Sequence, residues 1–218
     1  MWSFFASISI ASIAVANLFQ KVAMRKKDSD PIVSSIVFQS LVTLFTLVFA
    51  LIKGFQLPPI STLWPHFIIS SAFYGFGTLF IFKAIKEIEA SELSIVASFG
   101  SLATIFTAFI FLDERLSLLQ IFGVFLILSS VFLINKAKGQ IKFDKGLFYA
   151  LIGNSLYGFA VTNDAFILKS YDAISYTPII SFLPGVILLL IYFPKIKSKF
   201  KNSRLSIDKN LVIYTALY

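Results

Sequence analysis

Apolar positions in this chain collect into long unbroken runs, separated by short polar stretches. Seven runs are long enough to predict membrane-crossing helices, at residues 3–23, 32–52, 63–82, 91–112, 117–134, 146–168 and 174–193. A crossing helix needs about 20 mostly apolar residues. An eighth run, 211–218, is only a fragment. The separators carry the turn and charge signals: "RKKDSDP", "KGFQLPPIST", "KAIKEIEA", "DERL", "NKAKGQIKFDK" and "KSYDA". Connections this short predict sequential helices packed as antiparallel neighbours. Barrel strands would be shorter and would alternate. The expected fold class is therefore all-α, a polytopic transmembrane helix bundle.

Composition sharpens this reading. The chain is 57% hydrophobic and only 14% charged, against about 25% charged in soluble domains. Its net charge is +8, but the basic residues sit in the short loops, so no nucleic acid partner is expected. Alternate loops share them unequally. Those after the first, third, fifth and seventh runs hold fifteen Lys and Arg, and the intervening loops hold Lys53, Arg115 and Lys169. By the positive-inside rule this puts the crowded loops in the cytoplasm and the N-terminus outside. The first run has no basic residue before it and is too long for the apolar core of a cleavable signal. There is no cysteine and one histidine, His66. That histidine follows Trp64-Pro65 and reads as an interfacial residue. No metal and no cofactor are expected.

An ungapped shift of 144 positions lays Phe4 on Phe148, Ala6 on Ala150, Ala16 on Ala160, Arg25 on Lys169 and Asp28 on Asp172. Run boundaries align as well. Five spans separate equivalent points, and an odd number inverts the second copy relative to the first, as in many secondary transporters. The expected domains are a five-span repeat at 1–139 and a partial second repeat at 140–218. The same shift lays the final "NLVIYTALY" on "HFIISSAFY". Its apolar part reaches only about 12 Å as a helix. The chain is accordingly expected to be an incomplete copy of a ten-span protein, lacking the equivalents of residues 75–134.

The stretch "AIKEIEASELSIVASFGSLATIFTAFIFLDERLSLLQIFGVFLILSSVFLI" resembles the end of an EamA-type repeat of the drug/metabolite transporter superfamily. The match rests on Ala84, on Ala90-Ser91-Glu92, on Glu114-Arg115-Leu116 and on Gly123. "KGLFYALIGNSLYGFAVTNDAFILK" resembles the start of a second repeat, with Tyr157-Gly158 where the family often has Trp-Gly. The pattern departs from the family in the first span, where Ile13-Ala14 replaces an aromatic-Gly pair, although Lys21 keeps the basic residue near the helix end. In the fourth span Phe99-Gly100-Ser101 stands without the usual proline. The small four-helix exporters of this superfamily use a first-span glutamate, and Ile13 occupies that position here. The resemblance implies a secondary carrier in the cell membrane, working by alternating access and probing the lipid bilayer on its outer faces. It would export a small-molecule solute along a path lined by spans one, three, four and six. Proton or ion coupling stays open. The resemblance also implies a cytoplasmic N-terminus, in conflict with the charge count.

Polar residues inside a bilayer are functional candidates, because a charge at mid-membrane costs roughly 2.5–3.5 kcal/mol to insert. Asn154, Tyr157, Val161 and Asp164 fall within about an 80° arc of the sixth span. That stripe reads as a solute- or proton-binding face, or as an interfacial Asp164 paired with Lys169 and an Asn154 bonded to a neighbouring helix. Asn17 and Gln20 lie one turn apart in the first span, and Gln20 falls on Asp164 in the 144 shift. They read as a shared cavity wall or as interhelical glue. Ser94, Ser98, Ser101 and Thr104 form a small-residue stripe suited mainly to packing. The glycines of Tyr74-Gly75-Phe76-Gly77 suit close packing, with Tyr74 toward a cavity. The solute-facing set is thus Asn17, Gln20, Tyr74, Ser98, Asn154, Tyr157 and Asp164, with no catalytic residue. Glu114 and Arg115 read as a structural turn, and the basic stretch 195–209 as a topology signal. The competing functions are a non-transporting scaffold or assembly subunit and, less supported, a membrane-embedded lipid-modifying enzyme.

Overall fold

The structure is a computed structural model, which describes residues 2–26, 28–57, 63–112, 116–137, 144–202 and 209–218. Every regular element among them is an α-helix: α1 Trp2–Arg25, α2 Pro31–Lys53, α3 Trp64–Glu87, α4 Ala90–Phe111, α5 Leu118–Ala137, α6 Lys145–Ile167, α7 Ala173–Asn202 and α8 Lys209–Leu217. The chain is a polytopic helical membrane bundle, as the apolar runs predict. The turn containing Glu114 and Arg115 lies outside the described residues, as does the 203–208 part of the basic stretch.

Helix boundaries follow local chemistry. Asp30 caps α2 by accepting from the backbone N–H of Ile32 at 2.8 Å, and Pro31 occupies the first turn, where its missing N–H is no loss. Gly54 ends α2 with φ of 99°, a left-handed conformation that glycine adopts without a Cβ penalty. Glu92 reaches back to the N–H of Glu89 at the start of α4. Ser117 and Gln120 cap α5 reciprocally, through bonds of 2.7 and 3.3 Å. Asp144 caps α6 through the N–H of Leu147 at 2.7 Å.

The α7 cap responds to pH. Asp172 accepts from the backbone N–H of Ser175 at 2.9 Å, and chiefly that bond holds its carboxyl below the usual carboxylate value. A lowered value in the folded state means the cap's contribution is present above about pH 4 and is lost as pH falls through the folded value. Amide-exchange protection of Ser175 is therefore expected to hold at neutral pH and drop below about pH 4. Asp172→Asn keeps an acceptor and should remove that dependence. Protection in the wild type that is flat with pH would contradict the assignment.

These caps give the repeat a second, local register. The residues that cap α2 and α7 are Asp30 and Asp172. Each follows a loop of equal length, between Arg25 and Pro31 and between Ile167 and Ala173. At this hairpin the offset is 142 positions, which lays Asp164 on Val22 rather than Gln20. Two residues matter because each residue turns a helix by about 100°.

Four helices among the described residues are long and apolar enough to cross a membrane: Ser7–Arg25, Pro31–Lys53, Trp64–Glu87 and Ala173–Lys197. The apolar helical stretches Val96–Phe111 and Leu118–Ser129 are shorter. Helix α6 has span length, 23 residues, but falls outside the apolar set because it carries Asn154, Tyr157, Asn163 and Asp164. Large apolar side chains such as Ile10, Leu51, Phe122 and Leu190 stand exposed, as expected of surfaces that face lipid rather than water.

Packing forms two compact units, and neither follows the expected boundary at residue 139. One comprises Met1–Thr62 with Tyr171–Tyr218 and the other Leu63–Ser170. In the first, α1 packs on α8 and α2 on α7. Phe38 of α2 stacks on Tyr214 of α8 at 4.9 Å. In the second, α6 packs against both α3 and α4. Its core includes Ala84, Ile88, Val96, Leu147 and Ala150. Sequential antiparallel neighbours, expected from the short loops, are not the main contacts. Glycine explains why α6 is central. A Cβ on Gly153 would lie 2.9 Å from Ile81 and 3.1 Å from the Gly77 carbonyl, and one on Gly158 would lie 2.6 Å from the Gly100 carbonyl. Both helices therefore approach α6 at backbone distance.

Candidate functional site

The α3–α6 contact is antiparallel. His66 meets Asn163, Tyr74 meets Asp164, and Gly77 meets Gly153. Along α3 the residues His66, Ser70, Tyr74 and Thr78 recur every four positions, which follows one of the surface ridges of a helix. They rise about 18 Å in all. Each of the four bonds to a polar side chain of α6, so the ridge and its partners form a polar seam inside an apolar unit.

Asp164 is the centre of that seam. One carboxylate oxygen accepts from the Ser70 hydroxyl at 2.8 Å, and the other accepts from the Tyr74 phenol at 2.5 Å. Ser70 is fully buried, and it also accepts from the Asn163 side-chain amide at 2.7 Å. The same amide donates to the His66 carbonyl at 2.8 Å, and the Asn163 carbonyl oxygen lies 2.6 Å from His66 Nδ1. The His66 ring stacks on Phe166 at 4.5 Å. Deeper along the seam the rings of Tyr74 and Tyr157 meet edge to face at 5.4 Å. The Tyr157 hydroxyl shares a 2.7 Å hydrogen bond with Thr78, which is 1% exposed.

Chemically, this is a carboxylate held by two hydroxyls beside a pair of aromatic rings. Bonds to a charged acceptor are worth about 1.5–3 kcal/mol each, so the carboxylate is oriented rather than free to rotate. Lys169 is exposed beyond α6, and the Asp164 side chain turns toward α3 instead.

The seven expected residues separate accordingly. Tyr74, Tyr157 and Asp164 come together on the seam. Asn154 shares α6 with them but is turned to α4: its amide donates to the Ala150 carbonyl of its own helix at 2.7 Å, and its backbone carbonyl lies 3.1 Å from where a Gly100 Cβ would stand. Ser98 is half-buried on α4. Among the described side chains of the small-residue stripe, Thr104 joins the α4–α6 contact, bonding the Gly158 carbonyl of α6 at 3.4 Å as well as the Gly100 carbonyl of its own helix at 3.0 Å. Ser101 is exposed, and the Ser94 side chain lies outside the described residues. Thr107 and Thr162, not singled out in sequence, share a 2.6 Å bond across the same contact. Asn17 and Gln20 belong to the other unit, where Gln20 is buried.

Sequence reasoning missed Ser70 and Asn163 and gave His66 no partner. The four-residue spacing of His66, Ser70, Tyr74 and Thr78 was the available signal. It is hard to weigh in an apolar helix, where isolated hydroxyls commonly bond their own backbone, as Ser71 does with Phe67.

The profile of the EamA-like transporter family matches residues 1–136. No curated protein matches the sequence. A solved structure, titled "Crystal structure of protein", is similar in fold, with a TM-score of 0.61 over 97% of this chain and 74% of the other, at 16% sequence identity.

Proposed function

The chain belongs to the EamA-like transporter family, and through it to the drug/metabolite transporter superfamily, and from that premise we propose that it carries a small solute across the cell membrane with Asp164 as the solute- or ion-binding carboxylate. The carrying observation is the bonding of that carboxylate, on α6, by Ser70 and Tyr74 of the apolar span α3. A membrane-embedded acid costs free energy to keep, and one fixed by two hydroxyls beside two aromatic rings is prepared to receive a donor group. In this reading Tyr74 and Tyr157 line the binding position. Ser98 and Asn154 belong to the wider solute path within that unit, and Asn17 and Gln20 are solute-facing candidates within the other.

The transport mode we propose is alternating access in the export direction, built on two inverted repeats at 1–139 and 140–218. The pairing of α1 with α8 and of α6 with α3 supports it, because a repeat that equates α1 with α6 and α3 with α8 makes these two contacts counterparts. The test is solute flux in vesicles, with and without an imposed ion gradient, for the wild type and Asp164→Asn. Loss of flux, or of its response to the gradient, is expected. Unchanged flux and coupling would remove Asp164 from the mechanism.

A further inference from the structure

The contact between α3 and α6 carries a second row of side chains, one residue around α3 from the polar ridge. Phe73, Phe76, Phe80 and Lys83 recur in steps of three and four, so they share one face of the helix. All four are half-buried. Rings from α6 lie against this row, Phe159 on Phe73 at 5.7 Å and Tyr149 on Phe80 at 5.8 Å. The row rises about 15 Å from Phe73 to Lys83, roughly half the thickness of a bilayer core. Lys83 precedes the end of α3 at Glu87 by one turn, and Tyr149 follows the start of α6 at Lys145 by one turn. Both therefore stand at one end of the unit. Lys83 is about 14 Å along α3 from Tyr74, apart from the seam around Asp164.

Ring faces alone hold the Lys83 ammonium. Its Nζ lies 5.0 Å from the centroid of Phe80 and 5.5 Å from that of Tyr149, within the ~6 Å over which a ring face attracts a cation. The rings orient the ammonium but leave its three N–H donors to find acceptors. Among the described residues no carboxylate pairs with Lys83, and the Tyr149 hydroxyl has no hydrogen-bond partner. Neither donor atom is sealed from the surroundings. Of the nearby acids, Glu87 lies against Gly146 and Asp144 is spent on the cap of α6. Phe148, beside Tyr149 at 6.3 Å, is exposed, so this corner opens to lipid. A cation and a hydroxyl that share one ring, with no acceptor from the protein, call for an anionic acceptor from the membrane. We propose that the corner binds one anionic phospholipid, with its phosphate on Lys83 Nζ and Tyr149 Oη and an acyl chain along the row from Phe80 to Phe73. The phosphate supplies oxygens for both donors, and the row has the depth of one leaflet. Lys86 and Lys145, exposed at the same end, add attraction for any anionic surface but have no ring against them among the described residues. The site does not depend on the role of Asp164.

The test titrates the full chain, in a neutral detergent, with phosphatidylglycerol or with phosphatidylcholine, and counts bound lipid by native mass spectrometry. One phosphatidylglycerol should be retained about fivefold more tightly than phosphatidylcholine. Lys83→Gln should remove that preference, and Lys83→Arg should keep it, because a guanidinium also stacks on ring faces. Tyr149→Phe keeps the ring and loses only the hydroxyl, so it should weaken phosphatidylglycerol about threefold. That variant reads the site independently should Lys83→Gln fail to fold. Lys86→Gln and Lys145→Gln should each cost less than Lys83→Gln. Equal retention of the two lipids by the wild type overturns the proposal, as does undiminished phosphatidylglycerol binding in Lys83→Gln or in Tyr149→Phe. Equal losses in Lys83→Gln, Lys86→Gln and Lys145→Gln would show a general surface attraction and overturn it too. Inorganic phosphate should leave the melting temperature unchanged where phosphatidylglycerol raises it. A rise with phosphate alone that Lys83→Gln abolishes would make this a site for a soluble anion and overturn the lipid assignment.

Discussion

Gly158→Ala is expected to destabilise the chain by about 2–3 kcal/mol, whereas Gly123→Ala should be neutral or slightly stabilising. Both are single methyl additions at helical glycines. At Gly158 the new Cβ would stand 2.6 Å from the Ala103 Cβ, 2.6 Å from the Gly100 carbonyl oxygen and 2.8 Å from the Thr104 backbone nitrogen. Two of these three atoms are backbone, which cannot rotate aside, so α4 must retreat from α6. Retreat stretches the Thr107–Thr162 bond and the bond from Thr104 to the Gly158 carbonyl. At Gly123 nothing lies within 4 Å of the added atom, and alanine's better helix propensity, up to about 1 kcal/mol over glycine, acts alone. Equilibrium unfolding of both variants in the same detergent checks the pair. Equal stability of Gly158→Ala and the wild type would mean that α4 and α6 do not meet at backbone distance.

Tyr74→Phe should lower solute flux about tenfold, at the weaker end of what a lost bond to a charged acceptor predicts. The phenol is bonded to one carboxylate oxygen of Asp164, while the ring keeps its edge contact with Tyr157 in the phenylalanine variant. The change therefore removes a bond without removing packing. Because the phenol acts on Asp164, its effect should vanish where the charge is already gone. Tyr74→Phe combined with Asp164→Asn is expected to be no worse than Asp164→Asn alone, a non-additivity diagnostic of groups that act together. Strictly additive losses would show that Tyr74 serves the solute independently.

The candidate site was partly legible before the fold was known. Asp164 announced itself as an acid within an apolar run, and Tyr157 and Tyr74 as polar-tipped rings near it. The arc through Asn154 was a misleading guide, because α6 is clasped on two sides. One edge of that arc faces α3 and the other faces α4, and a helical-wheel argument cannot see how many neighbours a helix has. His66 looked isolated in sequence because its partner, Asn163, is 97 residues away.

The sequence by itself determined the class of protein, the helices and their ends. Unbroken apolar runs force helices in a bilayer, since only helical backbone satisfies its own polar groups there. Asp30, Ser117, Asp144 and Asp172 then end the loops by chemistry that is local to each helix start. Only the tertiary structure decided which helices pair and which polar groups meet. Runs that are apolar on every face carry no amphipathic stripe to point at a partner. Short loops suggested neighbours in sequence, yet α6 lies between α3 and α4, and α1 lies against α8. Close approach at Gly153 and Gly158, set by backbone contact rather than by hydrophobic pattern, is what turned the polar edge of α6 onto the ridge from His66 to Thr78.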